Sequence, residues 1–167
     1  DADGDRCLTL DEVKELAKQF MEANPENAEN PVGIAFDVGL TSTTSDTAYM
    51  IHSIAYSVGA YPRHWYQNDA GELIYGSTTE EMKEALSIVR EWYQEGIVDP
   101  QLGTRTWDDI TALLTNGQTG ITFGPWHLPD WLLNNVRSMD PDAEFSTYTI
   151  CDDNGKVNVI HNNAVNG

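Results

Sequence analysis

The first twelve residues read Asp1-Ala2-Asp3-Gly4-Asp5-Arg6-Cys7-Leu8-Thr9-Leu10-Asp11-Glu12. Carboxylates at alternate positions, a hydroxyl at 9 and a Glu at 12 have the spacing of a calcium loop. Calcium is a hard cation that takes about six to eight oxygen ligands. Asp1, Asp3 and Asp5 can converge on one ion, and the backbone carbonyl of Cys7 adds an oxygen whatever its side chain. Thr9 reaches the ion directly or through water. Glu12, rooted in the first turn of a following helix, can chelate with both oxygens. Leu8 is the apolar residue that ties such a loop to a core. The departure is Arg6, where the turn ordinarily takes Gly; an Arg enters a left-handed backbone at a cost of about 1 kcal/mol. The bland alternative is a solvated acidic turn capping a helix. The number of matched positions favours a structural calcium site.

A second chemistry is carried by aromatics. The chain has five Trp and seven Tyr. Tyr61, Trp65 and Tyr66 fall in a loop, and Trp126 follows Gly124-Pro125, with Trp131 close behind. A flat indole stacks on the C–H face of a pyranose ring. Pro125 lacks an N–H, so the strand before it cannot continue through a sheet, and Trp126 falls at a strand end, where open α/β folds bind ligands. Arg63, His64, His127 and Asp130 are the polar donors and acceptors that would add specificity. Trp92, on a regular helix, reads as core.

Hydrolytic chemistry is less well supported. A glycosidase needs two opposed carboxylates. Acids abound, but none sits beside a distinctive motif, and Asp108-Asp109 reads as a helix first turn, where negative charge is favoured. There is no nucleophile elbow, phosphate loop or histidine pair at metal spacing.

The elements that must position these residues follow from periodicity. Helices are expected over about 10–21 (Val13, Leu16, Ala17, Phe20 inward), 47–57, 78–95, 106–116 and 129–137. Thr9 and Glu12 form a capping box, and Pro129 suits a first helical position. On the 78–95 helix the inward face reads as Met82, Ala85, Leu86, Val89 and Tyr93. On 47–57 it reads as Met50, Ile51, Ile54 and Ala55. Short buried strands are expected at 32–36 and 120–124. A hairpin turns at 68–71 into 73–75, and 145–150 and 157–161 alternate like strands around a turn at 152–155. The fold class is α/β, a small mixed sheet flanked by helices.

The 167 residues suit one domain, and with 40% apolar and 22% charged residues a core is expected. Nine Lys+Arg against 27 Asp+Glu give a net charge of −18, which argues against nucleic acid or an anionic membrane as partner. No apolar run approaches the ~18 residues of a membrane span. Cys7 and Cys151 cannot make a disulfide framework or a four-ligand zinc site. Unbridged cysteines are the expectation, one bridge between them the alternative. Because the chain opens on Asp1 inside a loop and stops after an extended stretch, it reads as an excised lobe whose targeting signals lie elsewhere.

The order Tyr61-Pro-Arg-His-Trp-Tyr66, Gly71-Glu-Leu-Ile-Tyr-Gly76, Glu80-Glu-Met-Lys-Glu-Ala-Leu86, Glu91-Trp-Tyr-Gln-Glu-Gly-Ile-Val-Asp-Pro100 and Asn116-Gly-Gln-Thr-Gly-Ile-Thr-Phe-Gly-Pro-Trp126 resembles extracellular solute-binding proteins of ABC importers. The likeness is to the lipoprotein type serving carbohydrate uptake in Gram-positive bacteria, and it runs over nearly the whole chain. It implies one α/β lobe, residues 1–167, of a type II periplasmic-binding-protein-like clamshell, with residues 162–167 heading back to the hinge. It implies that Trp126 stacks on sugar from the cleft wall and, less directly, so do Trp65 and Tyr66. The family includes members with a calcium loop at a comparable place. The implied protein is a monomeric, lipid-anchored cell-surface receptor, not an enzyme, that hands an oligosaccharide to ABC permease subunits. The competing readings are a calcium-dependent carbohydrate-binding or adhesion module and a glycosidase fragment.

Overall fold

Thr9 opens the first helix. Its hydroxyl accepts from the Glu12 N–H (3.2 Å), and the Glu12 carboxylate accepts from the Thr9 N–H (2.9 Å), the reciprocal box that satisfies two end groups of a helix. The computed structural model describes residues 6–24, 28–41 and 47–157. In chain order these carry β1 (Cys7–Leu8), α1 (Leu10–Ala23), α2 (His52–Ser57), β2 (Trp65–Gln67), β3 (Leu73–Tyr75), α3 (Glu80–Gln94), α4 (Trp107–Thr115), a π-helical turn (Pro129–Leu133) running into α5 (Asn134–Met139), and β4 (Thr149–Ile150). The class is α/β, with small sheets flanked by helices, as the sequence implies.

Two apolar clusters hold it together. One gathers Val13 and Ala17 of α1, Ile51, Ile54 and Ala55, and Met82, Ala85, Val89 and Trp92 of α3 around Ile34, Phe36, Val98 and Phe123. The other packs Ile110, Leu113 and Leu114 of α4 against Tyr49, Leu128 and Leu132. The chain at 32–36 runs between them.

The sheet is reduced relative to expectation. Ile34 bridges in parallel to Val98 on one side and Ile121 on the other, but only as isolated bridges. Thr119 explains part of this: its hydroxyl donates to the Gly33 carbonyl (2.9 Å), occupying an acceptor that a ladder would use. Instead of one mixed sheet there are two two-stranded ones, parallel β1·β4 and antiparallel β2·β3. The hairpin pairs Trp65 with Tyr75 and Gln67 with Leu73 across the expected turn. The expected 145–150 strand is present only as Thr149–Ile150: in the parallel register Tyr148 would face Arg6, which leaves the extended conformation at φ 61°.

The helix expected over 47–57 starts only at His52. Tyr49 sits at φ 60°, a left-handed conformation no helix accommodates, with its ring fully buried and its hydroxyl 3.1 Å from that of Thr111. On α3 the buried stripe is Met82, Ala85, Val89 and Trp92, while Leu86 and Tyr93 are exposed. The 3.6-residue period carries the face from Val89 to Trp92, not to Tyr93. The core role read for Trp92 is correct. Residues 158–161 of the last expected strand lie outside the described residues.

The expectation of unbridged cysteines is overturned: Cys7 and Cys151 form a disulfide, with Cα atoms 6.0 Å apart. Spacing in sequence cannot reveal this, since the cysteines are 144 positions apart. They meet because β1 pairs with β4, so that Cys7 lies opposite Thr149 and Leu8 opposite Ile150. By chain entropy a loop of that length stabilises the fold by up to about 5 kcal/mol, and measured bridges more often give about 2–4 kcal/mol.

Candidate solute cleft and acidic loop

Phe123 is the last buried residue of its segment, its ring parallel to that of Phe36 at 6.1 Å. Gly124 and Pro125 then turn the chain outward, and the Leu128 N–H closes the turn on the Pro125 carbonyl (3.0 Å). Trp126 is thereby thrown into solvent, 87% exposed, with the His127 ring nearly perpendicular to it at 5.4 Å. Beside it opens a cleft of about 1080 Å³ with walls more apolar than polar. It is lined by Leu8 and α1, by residues 120–126 with Ser53, Tyr56 and Ser57 of α2, and by residues 144–150. Gly120 lets the 120–126 segment lie against α1: a side chain there would collide with the ring of Phe20.

Of the ligand-contacting residues expected from sequence, Trp126 lines this cleft and the others do not. Tyr66 connects to it indirectly. Tyr56, in the cleft wall, lies 6.2 Å from Tyr61, and Tyr61 lies 5.3 Å from Tyr66, so a run of rings leads from the cleft to the hairpin. Burial raises the Tyr56 and Tyr66 hydroxyls above the usual phenol range. Trp65 is on the other face of the hairpin, 63% exposed and tilted over Tyr75 at 5.0 Å. Arg63 takes a left-handed backbone (φ 63°), its N–H donating to the Ser77 hydroxyl (2.7 Å) and its Nε to the Thr41 hydroxyl (3.2 Å). The His64 Nδ1–H donates to the Pro62 carbonyl (2.9 Å). Trp131 stacks on Trp107 at 5.0 Å and meets the edge of Tyr49 at 6.3 Å, inside the α4 cluster.

Sequence reasoning missed Tyr56, Phe145 and Tyr148, which line the cleft. Phe145 lies under the Arg137 guanidinium at 5.7 Å. The signal for Phe145 and Tyr148 was aromatic content in a segment read as a strand, and for Tyr56 an aromatic on a segment read as a helix. His52 was also missed. It is 4% exposed, its Nδ1 has no hydrogen-bond partner, and burial, aided by the nearby His64 and Arg63 charges, lowers its pKa to about 4.

At the acidic loop, Arg6 stands at φ 61°, the left-handed conformation that the sixth position of a calcium loop requires. The β1·β4 bonds use the carbonyls of Arg6 and Leu8, so by strand alternation the Cys7 carbonyl faces the other way. The disulfide removes the Cys7 thiol from any metal role, leaving its carbonyl. One Glu12 oxygen serves the Thr9 cap, so a bidentate grip on a cation would have to share it. Among the described residues no group of His, Cys, Asp and Glu could hold a metal ion. Asp1, Asp3 and Asp5 lie outside them. The donor types and the Arg6 turn fit calcium.

The fold has counterparts among solved structures: its α/β arrangement is similar to a segment of ABC-transporter substrate-binding proteins. In particular, it superposes on the S. pneumoniae ABC-transporter substrate-binding protein FusA, both as an EF-hand mutant in complex with fructo-nystose and in complex with kestose. In each case the TM-score is 0.62 and the identity 17%, over 92% of this chain and 29% of that one. The chain therefore spans about 29% of the length of those proteins. Neither a protein-family model nor a curated protein matches it.

Proposed function

We propose that this chain forms one lobe, residues 1–167, of a two-lobed extracellular receptor that binds an oligosaccharide and passes it to the permease of an ABC importer. The observation that carries the reading is Trp126. An indole 87% exposed at the rim of an apolar-walled cleft is poised to stack on a sugar ring. Tyr56, Phe145 and Tyr148 offer further faces within the cleft. Trp65, Tyr66, Arg63, His64 and His127 would contact an extended ligand beyond the cleft, whereas Trp131, stacked on Trp107, is left a packing role. The function is binding without turnover. The likeness to proteins described with kestose and fructo-nystose supports an oligosaccharide, with fructans the first class to try.

Calcium acts structurally in this reading. Asp1, Asp3, Asp5, the Cys7 carbonyl, Thr9 and Glu12 would hold it, and it would neutralise the carboxylates that crowd the start of α1. A disulfide persists in an oxidising compartment, which supports an extracellular location. Among the described residues no helix is long and apolar enough to cross a membrane. A lipid anchor outside these residues would hold the monomeric receptor at the cell surface beside its permease subunits.

The test is calorimetric titration of the complete receptor with kestose, nystose and unrelated glycans. Saturable binding without hydrolysis of the bound sugar supports the reading. Sugar cleavage, or the absence of binding across all the glycans, overturns it.

A further inference from the structure

Leu8 and Ile150 face each other in the β1·β4 pair, both line the cleft, and each is flanked by a cysteine of the Cys7–Cys151 bridge. The bridge thus joins β1 to β4 beside two residues that line the cleft, at the end of the wall formed by residues 144–150. That wall is a strap with little regular structure. Its backbone ties lie at its ends: the Ala143 N–H to the Asp140 carbonyl (3.2 Å), the Thr149 N–H to the Arg6 carbonyl (3.0 Å) and the Cys151 N–H to the Leu8 carbonyl (3.0 Å). Between them Phe145 is covered by Arg137. A two-residue parallel pair is too short to persist alone, since even a two-stranded hairpin is marginal in water.

We propose that the Cys7–Cys151 disulfide is a positioning element for the solute cleft, holding the 144–150 strap, with Phe145 and Tyr148, in the cleft that residues 120–126 also line. The inference rests on the solute-binding reading above. Without the bridge the backbone tie of β4 to β1 is a two-residue ladder, which must offset the conformational entropy of ordering the strap. The strap then opens as a local unit while the α1–α3 core stays folded. Affinity falls in proportion to the fraction of molecules with the strap in place, so a strap docked a tenth of the time weakens binding about tenfold.

The test uses the oxidised receptor, the same protein mildly reduced with a phosphine, and the Cys7→Ser/Cys151→Ser double variant. Amide exchange by NMR is read at Thr149 and Cys151 against Val89 in α3, and kestose is titrated in parallel. Reduction is expected to widen the gap between those two amides and Val89 at least about tenfold, to weaken kestose binding by about the same factor, and to be reversed on reoxidation. Reduction needs no refolding, so it decides the matter even if the variant fails to fold. Thr149 and Cys151 amides that stay as protected as Val89, or an unchanged kestose affinity, overturn the proposal. If the oxidised protein does not bind kestose, the fructan reading fails while the exchange data still decide the role of the bridge.

Discussion

The α1–α3 region and the cleft walls are held by different physics. Between α1 and α3 the ties are helical and redundant. The buried stripes of both helices belong to one apolar cluster, and Lys14 adds ion pairs to Glu91 (2.7 Å) and Glu95 (2.5 Å) across the surface. Capping by Thr79, which accepts from the Met82 N–H, fixes where α3 begins. The cleft walls lack such redundancy. Residues 120–126 carry one bridge at Ile121, a hydrogen bond from the Tyr49 N–H to the Phe123 carbonyl (2.9 Å) and the buried Phe123 ring before they turn outward, and residues 144–150 carry a two-residue ladder, the Arg137–Phe145 contact and the adjacent disulfide. Losing one contact in the first region thins a dense set. Losing one in the second moves a wall. A binding protein gains from this division, because the stable part fixes the frame and the lightly held part shapes the ligand surface.

The contrast can be broken from either side. The largest stability effect should fall on the helical region: Trp92→Ala, at 2% exposure, is expected to cost about 3–5 kcal/mol in urea unfolding. A loss below about 1 kcal/mol would mean that the stripe is not what holds α3.

His52, buried at the start of α2, carries the next effect. Its folded pKa, lowered to about 4, lies below the unfolded value of 6.5. Between those values the unfolded chain binds a proton that the folded one does not, so the contribution is full above pH 6.5 and is lost as pH falls towards 4. The shift corresponds to about 3 kcal/mol. The stability of His52→Leu, followed by urea midpoints across that range, should fall less steeply with acid than that of the parent. Parallel curves would show that the ring is not held neutral.

The smallest effect tests the local signals. Thr106 caps α4 and shares a reciprocal box with Asp109. Thr106→Ala should lower stability by about 1 kcal/mol without altering the cleft, which α4 does not line. An unchanged melting temperature would show that the box is not used.

The same division governs what the sequence makes legible. Thr9 with Glu12, Thr79 ahead of α3 and Pro129 at the first helical position are signals within a few residues of what they control, and each marks the helix start found. The left-handed Arg6 follows from loop spacing for the same reason. The Tyr49 kink depends on a partner, Thr111, found 62 positions away. The disulfide depends on a strand pairing across nearly the whole chain. Phe145 and Tyr148 lie in a stretch that alternates as a strand does, yet among the described residues the strand starts only at Thr149, and both line the cleft. The outward turn after Gly124-Pro125 is local and was legible. The identity of the other wall was not.

The account stands most directly on one residue, and one paired measurement on the complete receptor tests it. Unfolding stability and oligosaccharide affinity are determined together for the parent and for Trp126→Ala. An indole 87% exposed contributes little to folding, so stability should change by no more than about 0.5 kcal/mol. Affinity should fall at least about tenfold, or about 1.4 kcal/mol. A fold weakened by several kcal/mol with affinity unchanged would contradict the account and make Trp126 a structural residue.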